Sequence, residues 1–328
     1  MRRKIAVFGV LVLVLSLMVS LSGAGAAKLR FAMVTDIGGL GDQSFNDSAY
    51  AGLKRAEKEL GAEIKVLQSK KMEDYVPNLR SLAEQKYDLI WAVGFLMTDA
   101  TNEVAAQYPK INFGIIDSVV NQPNVQSVCF KEHEGSFLVG VIAAMTTKTK
   151  VVGFVGGMKL PLIEKFEAGF TAGVRAVDPK IRVLSAYTGK FDDPGKGKEL
   201  AMAQFGQKAD VVYHASGACG IGVIEAAKEK NLWAIGVDSD QYHLAPKNVL
   251  TSMMKRVDVG VFSGCRDVAK NAFKGGRTVV LGLAEEGVGY APTTEKNASK
   301  EAIAKADEFA KLIVSGKLVV PEKMADVR

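Results

Sequence analysis

The feature that most constrains the fold of this chain is an alternation of short β-branched runs with amphipathic helical segments, which occurs twice. The first series predicts strands at 28–34, 63–68, 88–93, 111–116 and 125–130 and helices at 46–60, 76–85 and 99–107. The second series predicts helices at 133–145, 161–177, 196–206 and 220–230 and strands at 151–155, 181–187, 210–214 and 233–237. Such alternation implies right-handed crossovers and a parallel sheet with helices on both faces. The sequence therefore predicts an α/β fold with two doubly wound parallel-sheet lobes.

The last part of the chain departs from this alternation. Beyond residue 238 it predicts strands at 249–254 and 279–283 and helices at 257–273 and 299–314. A chain that crosses back between its lobes needs such additional elements, and no Pro-, Gly- or Ser-rich linker divides the sequence. We therefore predict a first lobe of residues 27–131 plus 249–276 and a second lobe of residues 132–248 plus 277–328, joined by a multi-strand hinge.

The first 26 residues have the three-part layout of a secretory signal peptide. A basic head at 2–4 precedes an apolar run at 5–21, and small residues at 22–27 suit a signal peptidase. The alternative is a transmembrane anchor, but the run is short for the ~20 residues of a span and no charged stop follows it. We predict cleavage near Ala26. Because no cysteine directly follows the run, we expect a free periplasmic protein without a stable membrane anchor.

Composition and motifs argue against several other functions. The net charge is +6, but Lys and Arg are scattered, whereas nucleic-acid-binding proteins carry a clustered basic face. The three cysteines lack CxxC spacing and predict no disulfide framework. The chain contains no GxGxxG, no P-loop, no HExxH and no GxSxG motif. We therefore expect no nucleic-acid partner, no metal or other cofactor, and no enzymatic activity.

Polar and aromatic residues collect where the predicted strands end. Ligands of open parallel sheets bind at the carboxyl ends of the strands. The candidates at these ends, or in the helices that follow them, are Asp36, Ser44, Phe45, Asn46, Asp117, Phe166, Gly217, Asp238 and Lys255. A cleft between two lobes that is lined with carboxylates, an amide and phenyl groups suits a small polar ligand with an aromatic face.

Each of these side chains has a structural alternative. Phe45 lies in a Gly-, Asp- and Ser-rich loop, where stacking on a heterocycle competes with a hydrophobic staple at the helix start. Asn46 and Asp117 offer hydrogen-bonding groups to a heterocycle edge, or they cap local structure. Asp238 and Lys255 could grip vicinal hydroxyls, or they form a plain salt bridge. For Phe166, packing in the core competes with closing the second face of a base.

Several segments together resemble the basic membrane protein family of solute-binding proteins, in particular its purine nucleoside receptor branch. The most specific are the loop from Asp36 to Asn46 with its continuation to Gly52, and the segment from Gly236 to Gln241. Supporting segments are Gly156-Gly157 with 166–170, and 191–193 with 195–198. The resemblance covers essentially the whole mature chain.

The resemblance implies a type I periplasmic-binding-protein fold and delivery of a small-molecule ligand to an ABC transporter permease. It further implies that Phe45 and Phe166 sandwich a purine base and that Asn46 and Asp117 contact the base edge. Asp238 and Lys255 would hold the ribose, with a backbone contact at Gly217. Many members are lipoproteins, whereas this chain lacks the lipid-bearing cysteine. Three alternatives stay open: a sugar or other polar solute in the same fold, a nucleoside-processing enzyme, and a protein that presents its ligand to a membrane receptor.

Overall fold

A computed structural model describes residues 28–327, so the predicted signal peptide at 1–26 lies outside the described residues. The strands are β1 (Arg30–Thr35), β2 (Glu63–Gln68), β3 (Leu89–Val93), β4 (Asn112–Ile116), β5 (Val125–Phe130), β6 (Val151–Gly156), β7 (Arg182–Tyr187), β8 (Val211–Ala215), β9 (Trp233–Asp238), β10 (Val249–Lys255), β11 (Arg277–Leu281) and β12 (Val288–Tyr290). The helices are α1 (Phe45–Leu60), α2 (Tyr75–Glu84), α3 (Thr98–Gln107), α4 (Glu132–Thr146), α5 (Pro161–Val177), α6 (Pro194–Gly206), α7 (Cys219–Lys230), α8 (Val257–Ala269) and α9 (Lys300–Val314).

These elements form two six-stranded sheets. The first has the strand order β11-β5-β4-β3-β1-β2, and the second has the order β12-β10-β9-β8-β6-β7. The strands pair in parallel, with β12 antiparallel to β10 at the edge of the second sheet. All five residues of β3 are buried, as expected for a central strand that helices cover on both faces. The prediction of two doubly wound parallel sheets is confirmed.

Close helix contacts explain how each lobe is covered. Gly52 lets α1 lie against the backbone of α8 at Asp258, so α8 packs on the first sheet although it comes late in the chain. In the second lobe, Gly140 of α4 lies against the backbone of α5 at Phe170. A side chain on either glycine would push the two helices apart. The final helix, α9, packs on α4.

The lobe boundaries differ from those predicted. Strand β10, predicted to return to the first lobe from residue 249, instead continues the second sheet beside β9. The return to the first lobe therefore begins after Lys255, with α8. It extends beyond residue 276, because β11 pairs with β5 in the first sheet. The short strand β12, which was not predicted, then brings the chain back to the second sheet.

Within residues 28–327 the chain thus crosses between the lobes three times, at 131–132, at 255–257 and at 282–287. Hydrogen bonds join the crossings to one another. The Lys131 amide donates to the Leu281 carbonyl at 3.0 Å, and the Arg256 amide donates to the Gly287 carbonyl at 2.8 Å. The Leu283 amide donates to the Glu134 carboxylate at 2.8 Å. The three crossings therefore form one hinge.

Across residues 28–327, no helix combines the length and the apolarity that crossing a bilayer requires.

Candidate functional site

A cleft opens between the carboxyl ends of the two sheets, and side chains of both lobes line it. Its volume is about 540 Å³, counting space open to solvent. The lining residues are Asp36, Gly38, Asp42, Phe45, Asn46, Gly94, Phe95 and Asp117 from the first lobe and Leu162, Ile163, Phe166, Phe191, Ala215, Ser216, Gly217, Val237, Asp238 and Lys255 from the second. All of the predicted site residues except Ser44 therefore meet in this cleft.

Ser44 does not line the cleft, contrary to its predicted place among the ligand contacts. Its side chain is buried, and its hydroxyl donates to Oδ2 of Asp238 at 2.5 Å, from one lobe to the other. The reason is its position at the start of α1, which faces β9 of the second lobe. Ser44 therefore does not line the cleft itself, but its hydrogen bond orients the carboxyl group of Asp238, which does.

The loop before α1 holds Asn46 in a fixed orientation. The amide Nδ2 of Asn46 donates to Oδ1 of Asp36 at 2.9 Å and to Oδ2 of Asp42 at 3.1 Å. Asp42 also accepts hydrogen bonds from the backbone amides of Ser44, Asn46 and Asp47, so it caps the helix. Both amide hydrogens of Asn46 are therefore engaged, and its buried Oδ1 has no hydrogen-bond partner among the described residues.

The ammonium group of Lys255 occupies the back of the cleft, beside the hinge. It lies 2.5 Å from Oδ2 of Asp117 and 3.3 Å from Oε1 of Glu132. The rings of Phe45, Phe130 and Phe166 surround it, with centroids 5.2, 5.2 and 5.5 Å from Nζ. Burial alone lowers the pKa of Lys255, but the neighbouring carboxylates outweigh burial and raise this pKa above its ordinary value.

This arrangement bears on the roles that the resemblance implied for Asp117 and Lys255. The two were assigned to the base and to the ribose, yet they form one ion pair in the structure. Oδ1 of Asp117 is buried and has no hydrogen-bond partner within residues 28–327. One carboxylate oxygen of Asp117 thus holds Lys255, and the other remains available to a ligand.

Carboxyl groups outnumber amines in the cleft, and burial affects their ionisation. Burial raises the pKa of Asp36 to about 6, although its hydrogen bond from Asn46 opposes the rise. Burial also raises the pKa of Asp238 to about 7, and here the Lys255 charge opposes the rise. A surplus of acceptors in a buried site favours a ligand that donates hydrogen bonds and disfavours an anion.

The two strand-end aspartates share an unusual backbone conformation. Asp117, after β4, has φ of 68°, and Asp238, at the end of β9, has φ of 64°. Asp is one of the few residues other than Gly that adopt this left-handed region readily. Backbone strain of this kind is typical of ligand sites, where it places a side chain that a regular strand would direct elsewhere.

Two aromatic residues of the cleft, Phe95 and Phe191, follow predicted strand ends but were not among the predicted ligand-binding residues. Their rings meet edge to face between the lobes, with centroids 6.3 Å apart. Gly157 and Gly217 leave room for Phe191, because a Cβ atom on Gly217 would lie 3.3 Å from the Phe191 Cβ and one on Gly157 would overlap its ring. Both Phe residues directly follow strand-end turns, and that position was the signal available in the sequence.

Cys219, for which the sequence suggested no role, supports the loop that carries Phe191. Its sulfur accepts a hydrogen bond from the Asp193 amide at 3.3 Å and lies 3.4 Å from the Lys190 carbonyl. All three cysteines are free thiols, as the lack of CxxC spacing indicated. Cys219 thus fixes the ends of a loop whose middle residue faces the cleft.

A buried histidine, His214, adjoins the cleft residues Ala215 and Ser216. His214 is fully buried and pairs with Gln241 at 2.9 Å, and burial lowers its pKa to about 4. Among residues 28–327, no three His, Cys, Asp or Glu side chains are grouped to hold a metal ion.

Comparisons with known proteins match almost the entire chain. A family model described as "ABC transporter substrate-binding protein PnrA-like" matches residues 30–324. The ABC transporter nucleoside-binding protein BmpA of Lactococcus lactis is 38% identical over 324 residues, which cover 92% of each protein. An uncharacterized lipoprotein of Pyrococcus abyssi is 40% identical over 281 residues, covering 81% of this chain and 69% of that protein.

A solved structure extends the similarity to the fold. The structure of a solute-binding protein of an ABC transporter system from Aeropyrum pernix superposes with a TM-score of 0.83 and 30% identity, covering 90% of this chain and 95% of that one. The predicted type I periplasmic-binding-protein fold is confirmed by this likeness.

Proposed function

The chain belongs to the family of PnrA-like ABC transporter substrate-binding proteins, and we propose that its cleft captures a purine nucleoside for import. Its predicted membership of the basic membrane protein family is confirmed. Proteins of this family bind a small molecule and deliver it to an ABC permease, so the prediction of a binding protein rather than an enzyme is also confirmed. The proposal of a nucleoside as the ligand rests on the residues of the cleft.

The observation that carries the proposal is the combination of phenyl rings from both lobes with buried acceptor oxygens that lack partners. Phe45 of the first lobe and Phe166 of the second lie within 5.5 Å of the same ammonium group. Oδ1 of Asn46 and Oδ1 of Asp117 have no hydrogen-bond partner within the described chain. A purine offers a flat ring for the phenyl groups and N–H donors for the oxygens.

The deeper wall of the cleft suits a ribose. Asp238 would accept a hydrogen bond from one vicinal hydroxyl, and Lys255 would donate to the other. Gly217, which also lines the cleft, would supply a backbone contact. A deoxyribose would leave buried polar groups of this wall without partners, so discrimination against deoxynucleosides is expected. The name of the Lactococcus lactis relative agrees with a nucleoside as the ligand.

Capture would follow from closure of the lobes. Ser44 and Asp238 already bond between the lobes, and the Phe95 and Phe191 rings meet there as well. A ligand that contacts both lobes at once favours the closed arrangement by the free energy of those additional contacts.

The most direct experiment is mass spectrometry of the small molecules that the purified protein releases on denaturation. Calorimetric titration then compares inosine, guanosine, adenosine and D-ribose. We expect one-to-one binding of the purine nucleosides and little heat with ribose. Binding of ribose or another sugar without any nucleoside would favour the main alternative, a sugar-binding protein of the same fold. Release of free base during incubation would indicate an enzyme.

We also propose that the mature protein is free in the periplasm after cleavage near Ala26. The Pyrococcus abyssi relative is named a lipoprotein, which makes a lipid anchor the alternative to test. The intact mass of the exported protein distinguishes them, because a lipid-modified N-terminus is heavier than the cleaved chain and partitions into detergent.

A further inference from the structure

Glu132 is a buried acid at the back of the cleft that neither the sequence patterns nor the proposed function has explained. It is the first residue of α4, directly after the chain leaves the first sheet at the end of β5. Its side chain is 1% exposed. Lys255, the last residue of β10, stands at the neighbouring crossing of the hinge. A residue of one crossing therefore faces a residue of another.

The carboxylate of Glu132 is poorly satisfied for a buried charge. Oε1 lies 3.3 Å from Nζ of Lys255, and Oε2 lies 3.8 Å from Nζ of Lys165. Neither oxygen accepts a hydrogen bond of normal geometry from the described residues. Burying a carboxylate without hydrogen bonds is costly, so stability alone does not explain its presence.

Glu134, on the same helix, differs from Glu132 because its carboxylate is fully paired. Glu134 accepts the Leu283 amide at 2.8 Å and pairs with Lys131 at 3.1 Å, so it ties two hinge crossings together. Glu132 makes no such backbone contact, and its nearest charged atom is the cleft ammonium. Glu134 therefore connects two crossings of the hinge, whereas Glu132 contacts the ammonium group of Lys255.

The role of Glu132 can be inferred from the contacts of Asp117. Asp117 is the hydrogen-bond acceptor of Lys255 at 2.5 Å, and it also presents a free oxygen to the ligand. Without Glu132, Asp117 would be the one carboxylate of residues 28–327 within 4 Å of Nζ of Lys255, and a ligand donor at Oδ1 would compete with the ammonium for the charge of that single carboxylate. A second carboxylate that does not line the cleft relieves this competition, because it shares the neutralisation of Lys255.

We propose that Glu132 is a positioning residue that serves as the resident counter-ion of Lys255 and so frees Asp117 to bind the ligand. The inference rests on the proposed function in one respect, namely that Asp117 contacts the bound solute. It adds a specificity role for a residue that does not line the cleft.

The test is a double-mutant cycle measured by calorimetric titration with inosine. The proteins are wild type, E132Q, D117N and the double variant, with E134Q as the matched control on the same helix. We expect E132Q to weaken inosine binding by about tenfold or more, because Asp117 alone then neutralises Lys255 at ion-pair distance and its charge is less available to the ligand. In the D117N background the same substitution should cost about twofold or less, because no Asp117 carboxylate remains to be released.

Two further measurements separate positioning from a general structural effect. E132D keeps the charge, so it should restore most of the affinity lost in E132Q. E134Q should lower the thermal midpoint, and any change it makes in inosine affinity should be the same with Asp117 and with D117N, because Glu134 pairs with Leu283 and Lys131 and not with Lys255. Circular dichroism establishes that each variant is folded before titration.

Equal inosine affinity of wild type and E132Q would overturn the inference, and so would additive losses of E132Q and D117N. If the wild type binds ribose and not inosine, the proposed function is wrong, but the inference about Glu132 is not thereby refuted. The cycle is then measured with ribose, and the same two outcomes decide the role of Glu132.

Discussion

The carboxyl group of Asp238 links the electrostatics of the cleft to the stability of the fold. Asp238 is 6% exposed, and burial raises its pKa from 3.8 to about 7 against the opposing effect of Lys255. Between about pH 4 and about pH 7 the folded protein therefore holds a proton that the unfolded chain has lost. Stability from this group is fully present below the unfolded pKa and is lost as pH rises through the folded pKa.

The size of the effect follows from these two pKa values. One pKa unit corresponds to about 1.4 kcal/mol, so the change from 3.8 to about 7 amounts to about 4 kcal/mol in total. Of this loss of stability, about 3 kcal/mol occurs between pH 5 and pH 8. Asp36, whose pKa burial raises to about 6, contributes in the same direction, but it does so in the wild type and in a variant at position 238 alike.

The perturbation is Asp238→Asn, which keeps the shape of the side chain and removes its titration. Urea unfolding of the ligand-free proteins at pH 5 and pH 8 gives the free energy of unfolding at each pH. We expect the wild type to lose about 3 kcal/mol more than the variant on going from pH 5 to pH 8. Asp99→Asn, which changes an exposed acid on α3, should follow the wild type. Parallel pH profiles for Asp238→Asn and wild type would refute the reasoning.

The remaining predictions concern the aromatic walls of the cleft. Phe45 is only partly buried, so Phe45→Ala should weaken inosine binding by about tenfold or more, from the 1–3 kcal/mol of base stacking, with a small change in thermal midpoint. Phe166→Ala should weaken binding similarly and also destabilise the fold by about 3 kcal/mol, because Phe166 is 3% exposed; if Phe191→Ala alone weakens binding, the second stacking ring is Phe191. Gly217→Ala should reduce affinity and stability together, by about 1 kcal/mol or more in stability, because φ there is 57° and the Phe191 carbonyl would lie 3.2 Å from the new Cβ. Titration and thermal melts of each variant test these expectations, and an unchanged Gly217→Ala protein would contradict the last.

Most of the cleft could be predicted because its residues follow strands whose ends are visible in the sequence. A buried parallel strand has an unbroken apolar pattern, and the next polar residue marks its carboxyl end. That rule located Asp36, Asp117, Asp238 and Lys255 without knowledge of how the strands pair. It also marked Phe95 and Phe191 as strand-end residues, but neither was among the predicted ligand-binding residues, because a phenyl group after a strand has no polar signature.

The boundaries of the lobes could not be predicted in the same way. Whether β10 joins β9 or returns to the first sheet depends on pairing between distant segments, which leaves no trace in the local pattern. The three-residue strand β12 is too short to show any alternation. Ser44 was misplaced for a related reason, because its partner, Asp238, is distant in sequence and belongs to the other lobe.

The three crossings of the chain between the lobes affect how the protein can fold during synthesis. The first sheet starts with β1 near the N-terminus, but its edge strand β11 ends at Leu281. A nascent or truncated chain that stops before this strand lacks both β11 and its pairing with β5, and one that stops before α8 also exposes the face that this helix covers. Neither lobe is a continuous segment of the chain, and pairings of long sequence separation, such as β11 with β5, are expected to slow folding.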